Sequence, residues 1–155
     1  MSFKGIFTPK NPQKYAGKDV NRIVWRSNWE RKYMEHLDNH KHVLAWASES
    51  CIIPYQCPFR KHKMRRYFPD FIVKYRAKDG KIKIMMIEIK PENQSVKPEK
   101  KFNINGKPSK TYIREWAIWR NNTAKWEAAK QFCEKRNIEF KVLTEYDLGI
   151  AKRTA

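Results

Sequence analysis

Apolar positions recur along the chain at two periods. Trp29, Tyr33 and Leu37 stand at i, i+4 and i+8, the single buried stripe of a helix. Ser27, with Glu30 three positions on, has the spacing of a capping box that would start it. The helical pattern fades by Asn39. Strand-like runs follow: a short apolar piece from Ser50 to Tyr55, a longer one from Tyr67 to Arg76, and a third from Lys81 to Lys90. Asp79-Gly80 between the last two predicts a hairpin. Pro91, Pro98, Gly106 and Pro108 then punctuate a loop of about twenty residues, long enough to carry function. From Thr111 the period is helical again, with Trp116, Trp119, Thr123, Trp126, Ala129 and Cys133 at spacings of three and four. Asn121-Asn122 could divide that helix, and the three tryptophans fit core packing. Ile138 to Leu143 predicts a last strand, and Thr144 starts a short terminal helix. The organisation is a basic extended arm over residues 1–22 and one domain over 23–155, an α/β fold with a mixed β-sheet flanked by helices.

Composition narrows the partners. The 155 residues hold 34 Lys plus Arg against 16 Asp plus Glu, a net charge of +18, with 41% hydrophobic and 14% aromatic residues. A disordered basic tail lacks that much foldable surface. The basic residues are spread along the chain and not gathered on one amphipathic helix, so the expected polyanion is nucleic acid, not a membrane surface. Met1 to Gly5 leads into charged and turn residues, and no apolar run is long enough to span a bilayer, so neither a secretory signal nor a membrane segment is expected. Three cysteines, with no CxxC pair, fit a reducing compartment.

The hairpin brings chemistry together. With a two-residue Asp79-Gly80 turn, Asp70 lies opposite Ile89; with a three-residue loop it lies opposite Glu88. Either way it meets Glu88 and Lys90, which share one side of their strand because side chains alternate. An ordinary cross-strand salt-bridge set would use the same residues. Two carboxylates beside an ammonium also suit a hard divalent cation such as Mg²⁺, which takes a few carboxylate oxygens and keeps waters and substrate phosphate in its remaining positions. One ion or two would fit.

Pro69-Asp70, then Glu88-Ile89-Lys90 after a hairpin, following a helix that carries Glu30, resembles the PD-(D/E)xK nuclease superfamily. Further segments widen the likeness: Arg26-Ser27-Asn28-Trp29-Glu30, Ile53-Pro54-Tyr55, Arg66-Tyr67-Phe68-Pro69-Asp70, Ile87-Glu88-Ile89-Lys90-Pro91, Lys125-Trp126-Glu127 and Leu143-Thr144-Glu145. Together they resemble the head completion nucleases of myovirus-type tailed phages over nearly the whole chain, with little match in the loop 92–110. TnsA-type transposon endonucleases are a more distant likeness. The resemblance implies a restriction-endonuclease-like core in the order αβββαβ. It also implies a Mg²⁺-dependent endonuclease (Mn²⁺ substituting) on double-stranded DNA in head completion and packaging. Asp70, Glu88 and the Ile89 carbonyl would hold the metal, and Glu30 would complete the acidic cluster, directly or through water. Lys90 would be the catalytic lysine, and Lys125 would join the DNA contacts. Implied partners are DNA of weak sequence preference and phage head, portal or neck proteins, in the cytoplasm of an infected bacterium or on the virion.

Competing readings attach to several residues. Capping alone accounts for Glu30. His36, His40 and His42 have a spacing that invites zinc, yet they sit at a fraying helix end and fit a solvated face. Cys133 lies in an apolar stripe and fits the core. The run Arg60, Lys61, Lys63, Arg65, Arg66 directly before the acidic strand is expected on the DNA backbone, as are Lys97, Lys100, Lys101, Lys107 and Lys110 in the long loop. A DNA-end-binding structural neck protein without catalysis, or a transposition endonuclease, would share this charge.

Overall fold

The computed structural model describes residues 4–150 and 152. In chain order the elements are β1 (Gly5–Phe7), a 3-10 turn (Pro12–Lys14), β2 (Ile23–Trp25), α1 (Asn28–Asn39), β3 (Val43–Ser48), β4 (Ile53–Gln56), β5 (Met64–Tyr67), β6 (Phe71–Arg76), β7 (Ile82–Ile89), α2 (Glu92–Ser95), α3 (Lys110–Glu134) and β8 (Glu139–Leu143). β3, β6, β7 and β8 form the central sheet in that order, antiparallel except for the parallel β7/β8 pair. β1/β2 and β4/β5 are two antiparallel ribbons beside it.

Strand alternation divides the core into two layers. Ile87 and Ile89 of β7 face a cluster with Tyr33, Met34 and Leu37 of α1, Trp46, Phe71 and Val73. Met86, one step out of phase, packs on the other face with Trp126, Ala129 and Cys133 of α3 and with Ile53, Tyr55 and Tyr67 of the β4/β5 ribbon. Glu88 and Lys90 share the phase of Met86, so the strand aims them toward α3.

The helix start at Ser27 is as expected: its Oγ accepts the Glu30 N–H at 3.1 Å. Asn137 ends the α3 region at φ 55°, the left-handed cap conformation that asparagine tolerates. Four expectations need correction. The apolar piece from Ser50 is a strand only from Ile53, whereas Val43–Ser48, not foreseen, is an outer strand of the main sheet. The run Tyr67 to Arg76 divides at Phe68-Pro69-Asp70, where Pro69 has no N–H for a ladder. α3 runs unbroken through Asn121-Asn122, because the buried Asn122 turns its amide to the Gln94 carbonyl at 3.3 Å instead of capping a new helix. Thr144 to Asp147 is a turn and not a helix; the Asp147 carboxylate takes the Thr144 N–H at 2.8 Å.

Residues 5–15 lie against the domain. Tyr15 packs edge-on to Trp46 at 4.8 Å, and the buried Asp38 of α1 accepts the N–H groups of Lys10 (2.7 Å) and Asn11 (3.0 Å). Removing that carboxylate leaves two donors without their partner. Asp38→Ala is therefore expected to lower stability by roughly 2–4 kcal/mol in urea unfolding, because charged hydrogen bonds and orphaned donors carry most of that cost.

Candidate active site

The β6/β7 hairpin closes on three residues. Ala77 N–H donates to the Lys81 carbonyl at 2.8 Å, and Gly80 takes φ +82°, the left-handed position of such loops. The resulting register pairs Phe71 with Ile87; continued one step, it sets Asp70 opposite Glu88, the second of the two alignments the sequence allows. Asp70 Oδ2 accepts the Ile89 N–H at 2.8 Å, so the backbone of the neighbouring strand fixes this carboxyl.

Glu88 is 5% exposed. It lies against Asp70 closely enough for the two carboxyls to share a proton, and burial together with the Glu88 charge raises the Asp70 pKa well above the carboxylate range. The Ile89 N–H and the Lys90 ammonium pull it the other way without prevailing. Glu30 approaches from α1. Burial and the Asp70 charge raise its pKa too, and its Oε2 accepts the Arg26 N–H at 3.1 Å, so it caps the helix while standing beside the acids. Arg26 in turn grips Glu49 through two hydrogen bonds of 3.0 and 3.3 Å. Glu49, held at φ 48°, donates its N–H to the Asp70 carbonyl.

Two groups at this site were not read as chemical from the sequence. Tyr67 donates its hydroxyl to Glu88 Oε2. The signal available was a tyrosine at a buried strand position, whose hydroxyl must find a partner. Lys125, expected only on DNA, stands within electrostatic reach of Lys90, Glu88, Asp70 and Arg65, its ammonium 5.7 Å from the Tyr67 ring centroid. Burial lowers its pKa, and the Lys90 charge adds to the effect.

The donor set is one of hard oxygens: two adjacent carboxyls and a third near them. Among the described residues no group of three or more His, Cys, Asp or Glu side chains is placed to hold a metal ion by itself. The donor chemistry of the carboxyl pair suits a hard cation that takes few protein ligands and keeps its waters, and close negative charge is what such an ion relieves. His36, His40 and His42 do not join the acids. Their rings step along the far end of α1, 5.1 and 5.5 Å apart.

The basic run forms the β4/β5 ribbon and its turn. Arg60, Lys61 and Lys63 are exposed at or beside the turn, and Arg65 and Arg66 on β5, with Arg66 over the Phe68 ring. Arg65 shares the strand phase of Tyr67 and so faces the acids' side. Lys97, Lys100 and Lys101 are exposed in the loop before α3; Lys101 pairs with Glu115 at 3.2 Å and Lys97 lies over Trp119. Only the second half of α3 is buried. In the first half Trp116 is exposed and touches Phe59 of the ribbon turn, so the core role expected of all three tryptophans holds for Trp126 alone.

The chain is 40% identical over 145 residues to the Head completion nuclease of Enterobacteria phage T4, covering 94% of this chain and 93% of that protein. Residues 40–145, which hold Asp70, Glu88, Lys90 and the whole central sheet, match the family "TnsA-like endonuclease N terminal". With more than half its length matched, the chain belongs to the TnsA-like endonuclease family.

Proposed function

We propose that this chain is a Mg²⁺-dependent DNA endonuclease of phage head completion. The observation that carries the reading is the pairing of half-buried Asp70 with buried Glu88, with Lys90 in the strand phase of Glu88, within a chain of net charge +18. Family membership and the likeness to a head completion nuclease support it. Asp70, Glu88 and the Ile89 carbonyl would hold the ion, with Glu30 completing the cluster. Mg²⁺, when bound, would polarise the scissile phosphate and lower the pKa of the attacking water. Lys90 would orient that water and offset charge building on the phosphate oxygens. Lys125 and Arg65 would draw the backbone toward the acids, and the ribbon with Arg60, Lys61, Lys63 and Arg66 would hold the flanking duplex. Contacts of this kind read charge and not base edges, so sequence preference should be weak.

Nicking of supercoiled plasmid should require Mg²⁺ or Mn²⁺ and stop in EDTA. Purified protein that binds DNA yet never cuts under any divalent ion would replace this reading with a structural DNA-end-binding role. Binding should fall steeply with salt. Three phosphate contacts from the ribbon turn alone give roughly a 40-fold loss of affinity between 50 and 200 mM, from a slope of about −0.9 per contact. Fluorescence anisotropy at four salt concentrations measures it; a flat profile would assign the lysines to an acidic protein surface instead.

A further inference from the structure

We propose that Tyr67 is the positioning residue for Glu88, fixing the carboxylate for the cation; this rests on the metal-dependent reading above. Glu88 sits on a rigid strand, but its carboxyl is reached through three rotatable bonds, and buried carboxyls beside one another repel. Tyr67 answers both problems. Its hydroxyl donates to Glu88 Oε2, which anchors one oxygen and leaves the other for the ion.

The phenol is itself immobile. Tyr67 is 4% exposed, packed with Ile53, Tyr55, Met86 and Trp126, and paired across the ribbon with Ile53. The Lys125 ammonium stands 5.7 Å from its ring centroid. Only Phe68 and Pro69 separate Tyr67 from Asp70, so one short, proline-stiffened segment brings both a donor and a second carboxyl to the same glutamate. Metal-binding carboxylates are commonly held in this way by an outer partner whose loss weakens the site.

Tyr55 supplies the control. It lies in the same core cluster, and its hydroxyl is directed instead to Asn121 Oδ1 at 3.3 Å. Calorimetric titration of Ca²⁺ and Mn²⁺ into wild type, Tyr67→Phe and Tyr55→Phe should show about 10–100-fold weaker binding for Tyr67→Phe only. Saturating Mn²⁺ should restore most of its nicking rate, since the ligands themselves remain. Melting in EDTA separates positioning from packing: the two variants should melt within a few degrees of each other. Equal metal affinity in Tyr67→Phe and wild type would overturn this assignment while leaving the nuclease reading intact. So would an equal loss in both variants, or a loss in Tyr67→Phe that tracks a collapse of its melting transition. A wild type that binds neither ion would overturn both.

Discussion

Asp70→Asn is expected to lower nicking by about 10³-fold or more while leaving DNA affinity within about threefold of wild type, the loss of one charged ligand from a metal-centred site removing most of the transition-state stabilisation it supplies. Asparagine keeps an oxygen that can accept the Ile89 N–H, so the local fold has no reason to change. What it loses is the negative charge that an ion needs. Lys90→Ala should cost roughly 10²–10³-fold, the usual penalty for deleting one preorganised electrostatic group. Both are read by single-turnover plasmid nicking beside an anisotropy titration. Either variant cutting at the wild-type rate would remove these residues from the reaction.

The second large effect is on pH. Burial and Glu88 raise the Asp70 pKa to about 8, so in the metal-free protein this carboxyl keeps its proton through the acidic range; burial and Asp70 shift Glu30 in the same direction. A cation must displace that proton. Cleavage at limiting Mg²⁺ should rise by about tenfold per pH unit below the raised pKa, roughly 100-fold over two units. More Mg²⁺ should move the profile to lower pH, because metal and proton compete for the same oxygens. The stability sign follows from the same shifts. A carboxyl whose folded pKa exceeds its unfolded value contributes stability that is fully present below the unfolded pKa and lost as pH rises through the folded one. In EDTA, Asp70→Asn should therefore melt above wild type near pH 8 by several degrees, with the gap closing toward pH 4. Calorimetry at five pH values checks it; a gap that is flat, or that widens on acidification, would mean that Asp70 is not the group holding the proton.

The site was largely legible because its parts are local. Pro69-Asp70, the Asp79-Gly80 turn and Glu88-Ile89-Lys90 lie within one hairpin, and strand alternation alone places Glu88 with Lys90. Turn length was ambiguous, and only the Ala77–Lys81 closure distinguishes the two registers. β3 was missed for a physical reason: Val43-Leu44-Ala45-Trp46-Ala47-Ser48 has no clean alternation, and the register shifts between Val43 and Ala45, so neither period appears. The tryptophan stripe of α3 misled in the opposite sense. Its spacing is helical throughout, but the sheet covers only the second half, and Trp116 and Trp119 find Phe59, Arg120 and Lys97 instead of a core. Tyr67 and Lys125 stand in segments that carry the resemblance, but their approach to the acids arises from a layer contact between α3 and the β4/β5 ribbon that no spacing encodes.

The three-residue loop at Lys78-Asp79-Gly80 is exposed, and a methyl group on Gly80 would meet no atom within 4 Å. It lies roughly 25–30 Å of strand away from Asp70, at about 3.3 Å per residue. Yet strand pairing has a period of two, and a slip of β7 by one position against β6 would place Ile89 opposite Asp70 and turn Glu88 and Lys90 to the other face of the sheet, so the two registers open to the sequence are not equivalent. The loop thus works as a vernier, a distant setting that decides whether acids and lysine coincide. Surveys of variation in such a chain should follow the closure of this turn at Ala77 and Lys81 together with the four candidate site residues.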